Sequence, residues 1–134
     1  MRSIRLETVI AAPIGDCFDL SLSVDAHAAS MRASKEQAIG GVTSGVMRLG
    51  DSVTWRARHF GVVFGMTSAI TEYQPPSRFV DEQQHGPFRH WRHEHTFTPL
   101  ANGQTHMIDI VRFQSRPEDL AGSGLALAGG QARG

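Results

Sequence analysis

The chain has little of what marks several protein classes: one cysteine, no net charge and no long apolar run. Cys17 alone cannot form an intrachain disulfide, and no apolar run follows a basic N-terminal segment, so we expect a cytoplasmic protein. The 13 basic residues are balanced by 13 acidic ones, which disfavours nucleic acid and anionic lipid as partners. No segment approaches the roughly 20 apolar residues that a membrane span requires. A length of 134 residues suits one domain.

The first thirty residues predict one strand and two short helices. Apolar and charged residues alternate from Arg2 to Ile10, which indicates a half-buried strand. Ala12-Pro13 ends that strand, and apolar residues at helical spacing between Ile14 and Leu22 predict a helix. Ser23 is a typical helix cap, so a second short helix should follow it and end near Ser30.

The following residues predict about six consecutive antiparallel strands. Their expected ranges are 34–39, 53–60, 62–73, 79–83, 88–98 and 104–113. Asn102-Gly103 is the preferred pair for a two-residue hairpin turn, so the last two strands should lie side by side. The predicted fold class is therefore α+β, with a curved antiparallel sheet of about seven strands.

Four of the seven histidines, at positions 85, 90, 93 and 95, lie within eleven residues of the chain. Strand geometry directs His93 and His95 to one face of the sheet, together with Trp91 and Phe97. The hairpin brings Asp109 close enough to His95 for a direct or diagonal cross-strand contact. Such a pair could orient a polar ligand group or act as an acid and base.

Three interpretations of this cluster remain open. A hydrogen-bonded structural or pocket-lining pair is the favoured one, because buried polar groups are normally satisfied rather than reactive. Ligand orientation or acid–base chemistry is the second. A metal site is the least favoured, because His-x-His supplies two ligands and neither Cys17 nor a second such motif supplies a third. We therefore predict no metal and no cofactor.

Other catalytic signatures are missing from the sequence. No Gly-x-Ser-x-Gly nucleophile motif occurs, and the glycines between Gly40 and Gly45 are not followed by the lysine of a phosphate-binding loop. Cys17 lies on the apolar helix face and is expected to be a buried, inert thiol. Asp81 and Glu82 are neighbours on a strand and point to opposite faces, which excludes them as a catalytic carboxylate pair.

An ordered set of short motifs resembles the bacterial SRPBCC (START-like, helix-grip) superfamily, in particular its polyketide cyclase/dehydrase-like branch. The resemblance covers about residues 4 to 113. It rests on Ala12-Pro13, Cys17-Phe18-Asp19-Leu20, Val24-Asp25-x-His27, Gly50-Asp51-x-Val53-Thr54-Trp55, Phe79-x-Asp81-Glu82-Gln83, Gly86-Pro87-Phe88, Trp91-x-His93-x-His95-x-Phe97 and Thr105-x-Met107-x-Asp109.

The resemblance implies a sheet curled around a long C-terminal helix, with an apolar cavity between them. Residues 114–134 depart from that pattern, because they contain five glycines and few large apolar side chains. Each glycine costs a helix about 1 kcal/mol relative to alanine. We therefore divide the chain into a helix-grip domain, 1–113, and a tail, 114–134, with a reduced or missing C-terminal helix.

The resulting functional prediction is binding of a small hydrophobic or amphipathic molecule on the concave face of the sheet. The predicted lining residues are Trp55, His59, Phe79, Trp91, His93, His95, Met107 and Asp109. One alternative is a cyclase/dehydrase-type enzyme acting on a polyketide-like substrate, with His93 or His95 and Asp109 as its acid–base pair. Another is an interaction module or homodimer, because an uncovered concave face would expose an apolar patch.

Overall fold

A computed structural model describes residues 1–30, 36–59 and 62–116, and for His59 only the backbone. Its elements are β1 (Arg2–Ile10), α1 (Ile14–Ser21), α2 (Val24–Ser30), β2 (Gln37–Gly41), β3 (Ser52–His59), β4 (Val62–Gln74), β5 (Arg78–His85), β6 (Phe88–Pro99) and β7 (Thr105–Ser115). The predicted order of strands and helices is confirmed. The tail predicted for 114–134 lies mostly outside the described residues, although β7 extends to Ser115.

The seven strands form one curved antiparallel sheet in the order β1-β7-β6-β5-β4-β3-β2. From β2 to β7, each strand pairs with the next strand in the chain. β1, the first strand, pairs with β7, the last. The predicted fold class is confirmed. No helix in the described ranges is long and apolar enough to cross a membrane.

The α1–α2 layer covers one part of the concave face and builds the larger core cluster. Phe18 of α1 is 1% exposed, and its ring lies 5.6 Å from the rings of both Phe79 and Phe97. Ser23 caps α2 as predicted, because its hydroxyl accepts a hydrogen bond from the Ala26 amide. A second cluster lies on the sheet away from the helices and consists of Met66, Phe88, Trp91, Val111 and Phe113.

Three local expectations are wrong. β1 is exposed along Arg2–Val9 rather than half-buried, because it is an edge strand beyond the reach of α1 and α2. β2 does not end at residue 39 as expected. It includes Gly40 and Gly41, which pair with Thr54 and Val53.

The third concerns the turn between β6 and β7, which is longer than two residues. Leu100 donates its amide to the Gln104 carbonyl, so Ala101, Asn102 and Gly103 form a three-residue connection. Asn102 and Gly103 both take positive φ, 67° and 72°, a conformation that asparagine and glycine tolerate best. This loop places Asp109 directly opposite His95.

The packing predicts that Phe18 anchors the helix layer to the sheet. Phe18→Ala should lower the free energy of unfolding by about 3–5 kcal/mol, because it leaves a cavity among three aromatic rings. Leu20→Ala on the same helix is the matched control: Leu20 is 65% exposed, so its loss should change stability by no more than about 0.5 kcal/mol. Chemical denaturation of both variants measures the difference, and equal losses would contradict this account of the core.

Candidate functional site

Two histidines and two carboxylates from three adjacent strands form a buried cluster on the concave face. β6 supplies His93 and His95, β7 supplies Asp109, and β5 supplies Asp81. The antiparallel register places His95 opposite Asp109 and His93 opposite Asp81, so all four side chains share one face. The predicted cross-strand position of His95 and Asp109 is thus what the structure shows.

Each carboxylate contacts both imidazole rings. Asp109 Oδ1 lies 2.9 Å from His93 Nε2, in a hydrogen bond, and 2.8 Å from His95 Nδ1, at an angle outside hydrogen-bond geometry. Asp81 Oδ2 accepts a hydrogen bond at 3.2 Å from His95 Nε2 and lies 4.0 Å from His93 Nδ1. The rings themselves are stacked, with centroids 3.8 Å apart. His95 also stacks on Phe79, at 4.1 Å.

This environment shifts the protonation of His95 and Asp109 in opposite directions. Burial opposes the charged form of His95, but its contacts with Asp109 and Asp81 outweigh burial and raise its pKa. Burial likewise opposes ionisation of Asp109, yet the contacts with His93 and His95 hold its pKa well below the usual range. The cluster therefore favours an ionised Asp109 beside a protonated His95.

A cavity of about 70 Å³ lies between the helices and the sheet and reaches this cluster. Its polar end contains Asp81, His93 and His95, together with Ser68 from β4. Its apolar walls are formed by Leu22, Val24, Met47, Val53, Trp55, Ile70 and Phe79. The cavity is thus amphipathic, and its volume is well below the roughly 300–1,000 Å³ of sites that enclose drug-sized ligands.

A further polar group, His27 of α2, also lines the cavity. Its ring packs against Trp55 with centroids 4.4 Å apart, and its Nε2 lies 4.0 Å from Glu36 Oε1. His27 Nε2 is buried and makes no hydrogen bond within the described ranges. Buried ring nitrogens normally have a partner, so this atom lacks the hydrogen bond that such a nitrogen usually makes.

The predicted site residues occupy different positions relative to the cavity. Trp55, Phe79, His93 and His95 line it, while Asp109 contacts the histidines without lining it. Trp91 belongs to the second core cluster, and Met107 packs against the larger one. His59 ends β3, and its side chain lies outside the described part of the chain.

Asp81 and His27 are the functional candidates that sequence reasoning missed. Asp81 has the parity of Phe79, a predicted lining residue, and this shared face was the signal that could have found it. Its exclusion as a partner of Glu82 stands, because Glu82 lies near Arg92 instead. His27 belongs to the Val24-Asp25-x-His27 motif of the family resemblance, but no periodic pattern predicts its contact with Trp55, which joins α2 to β3.

No protein-family model and no curated protein matches the sequence. Solved structures do match the fold. TTHA0849 from Thermus thermophilus superposes with a TM-score of 0.71 at 13% identity, over 98% of this chain and 87% of that one. Ara h 8.0201 gives 0.63 at 12% identity, over 98% and 93% of the two chains.

The Zhui aromatase/cyclase from Streptomyces sp. R1128 has a TM-score of 0.61 at 18% identity, over 86% of this chain and 68% of that one. These likenesses show that the chain has the helix-grip (START-like) fold, as the resemblance of its motifs implied. At such low identities they show the fold alone, since proteins of one fold differ widely in function.

The two shifted pKa values predict that stability is greatest in mildly acidic solution. The contribution of His95 to the free energy of unfolding is complete below its ordinary pKa of 6.5 and is lost as pH rises through its raised pKa. The contribution of Asp109 is complete above its ordinary pKa of 3.8 and is lost as pH falls through its lowered pKa. Both contributions are therefore complete between pH 3.8 and 6.5.

Thermal unfolding of the wild type and of His95→Gln, in EDTA from about pH 4 to 9, measures this effect. The wild type should be more stable than His95→Gln in the mildly acidic range, and its advantage should shrink as pH rises. His90→Gln, which removes an exposed histidine of the same strand, should follow the wild type. An advantage of the wild type that stays constant or grows toward pH 9 would contradict the assignment of a raised pKa to His95.

Proposed function

We propose that the cavity binds one end of a small amphipathic molecule. The observation that carries the proposal is the combination of apolar walls with a few polar lining side chains, among them His27, whose buried Nε2 makes no hydrogen bond to the described residues. Apolar pockets with a few convergent polar groups are the usual form of small-molecule sites.

The volume limits what the cavity can hold. About 70 Å³ is less than the roughly 150 Å³ of an engineered protein cavity that binds benzene. The cavity therefore suits a group of a few non-hydrogen atoms, and the remainder of a larger ligand would extend through its opening. Hydroxyl and carbonyl groups fit the polar end, because histidine nitrogens donate or accept and Asp81 accepts.

Ligand binding is tested with a panel of short-chain alcohols, phenols and small ketones. A ligand present at about 100 times its dissociation constant should stabilise the protein by about 2.7 kcal/mol, which thermal unfolding detects. Two-dimensional NMR should then show shifts confined to residues around Trp55, His27 and Ser68. The proposal is wrong if no member of the panel at millimolar concentration shifts these signals.

His27→Phe tests the polar anchor specifically. Phenylalanine preserves the ring contact with Trp55 and removes the orphaned nitrogen, so stability should be kept while ligands with a polar group bind about tenfold more weakly, the effect of roughly one hydrogen bond. His90→Phe, at an exposed position, is the matched control and should bind like the wild type. Equal affinities of His27→Phe and the wild type would exclude His27 as the anchor.

A second candidate is acid–base catalysis of the cyclase/dehydrase type, and the orientation of His93 supports it. Its ring lines the cavity while Nε2 bonds to Asp109, so the carboxylate can orient the imidazole for proton transfer. The protonated form of His95 that its contacts favour could donate to a carbonyl oxygen. This arrangement suits proton removal from a carbon next to a carbonyl group.

Exchange of such protons for deuterium in a small β-diketone, followed by NMR in EDTA, tests catalysis. His93→Gln should lower the protein-dependent rate by about 10²–10⁴-fold, the usual contribution of a general base. His90→Gln should leave the rate unchanged. Acid–base catalysis is excluded if the wild type exchanges protons no faster than buffer alone, or if the exchange rate is unchanged in His93→Gln. Neither result would affect the proposal of ligand binding.

A further inference from the structure

We propose that Asp81, His93 and His95 bind a divalent transition-metal ion of the zinc type. One donor atom from each of the three side chains lies within 4.8 Å of the other two. Two imidazoles and one carboxylate are donors that Zn²⁺ and its neighbours among the first-row ions accept, whereas Mg²⁺ and Ca²⁺ prefer oxygen alone. Asp81 is the third ligand that His-x-His lacked in the sequence.

The distances to Asp81 are close to those of a coordination sphere. Tetrahedral Zn²⁺ with bonds of about 2.0–2.1 Å separates its ligand atoms by about 3.4 Å. Asp81 Oδ2 lies 3.2 Å from His95 Nε2 and 4.0 Å from His93 Nδ1. One contact already fits, and the other needs to close by about 0.6 Å.

Asp109 occupies the position of a carboxylate that orients metal-binding histidines. Its Oδ1 lies 2.9 Å from His93 Nε2 and 2.8 Å from His95 Nδ1, the two ring nitrogens other than those closest to Asp81. Histidine ligands almost always donate their second ring N–H to a carboxylate, carbonyl or water, which fixes the tautomer and the ring orientation. Asp109 makes this hydrogen bond with His93, while its 2.8 Å contact with His95 Nδ1 lies outside hydrogen-bond geometry.

Charge and access also favour a cation at this site. Asp81 and Asp109 place two carboxyl groups in a largely buried position, where a bound dication would be paired with them. Asp81, His93 and His95 line the cavity whereas Asp109 does not. The metal would thus have three protein ligands and an open position toward the cavity, as in catalytic zinc sites.

The stacked rings set one requirement for binding. Their planes are inclined by only 20°, so the lone pairs of the two nitrogens lie in nearly parallel planes and do not converge on one point. At least one imidazole must therefore turn when the ion binds, which reduces the stacking. Histidine side-chain NMR signals report this rotation directly.

Isothermal titration of the tag-free, EDTA-stripped full chain with Zn²⁺ tests the proposal. We expect one ion per chain, and at least 100-fold weaker binding in Asp81→Asn and His93→Gln. Asp109→Asn should bind about 10–100-fold more weakly, the usual effect of losing an orienting partner. His90→Gln should bind like the wild type. Unfolding curves in EDTA establish that each variant is folded.

Two measurements on the wild type keep the test independent of variant folding. Co²⁺ should give the visible absorption of a tetrahedral or five-coordinate site, and Zn²⁺ should shift the side-chain signals of His93 and His95 but not those of His90. Absence of one-to-one binding at 100 µM Zn²⁺ overturns the proposal, as does binding that survives both Asp81→Asn and His93→Gln. The proposal goes beyond ligand binding, which is tested separately in EDTA.

Discussion

The interaction on which the concave face depends is the contact of Asp109 with two histidines. A carboxylate that is largely removed from water is costly unless it is paired and hydrogen-bonded. His93 and His95 provide that pairing from one strand, and they can do so only if β6 and β7 keep their observed register. A shift by one residue would turn Asp109 to the opposite face and leave both rings without it.

The apolar core also constrains the side chains on the concave face. Phe79 is stacked on His95 and also meets the ring of Phe18, so the position of α1 and the orientation of His95 are coupled through one side chain. The helix layer therefore both covers the polar cluster and limits the cavity in front of it. Because β1 lies outside this layer, its apolar side chains contribute little to the core.

The sequence was sufficient for the fold and for one half of the site. Alternation in β6 directed His93 and His95 to one face, and the Asn102-Gly103 pair identified β7 as the neighbouring strand. The sequence does not fix the number of residues in the turn, and that number sets which residues of β6 and β7 face each other. A two-residue turn would place His95 opposite Ile110, whereas the observed three-residue loop places it opposite Asp109.

The same physical reason explains why Asp81 was missed. Gly86-Pro87 marks a corner between β5 and β6, but the chain there is not a simple two-residue turn. The Gln83 side chain bonds to both backbone groups of Phe88 and replaces regular pairing at this point. Regular pairing of β5 with β6 ends at Glu82 and Arg92, so the connection that sets Asp81 opposite His93 is longer than a tight turn, and no periodic pattern encodes its length.

The charge of the cluster connects the proposed functions. Without a metal ion, the Asp81 carboxylate in the cavity lining is a hydrogen-bond acceptor, so the polar end favours a ligand group that donates hydrogen bonds. A bound dication between neutral histidines would instead make the cluster neutral and offer a Lewis acid to carbonyl or anionic oxygen. On these two proposals, the polar group that enters the cavity depends on whether a proton or a metal ion lies between His95 and Asp81.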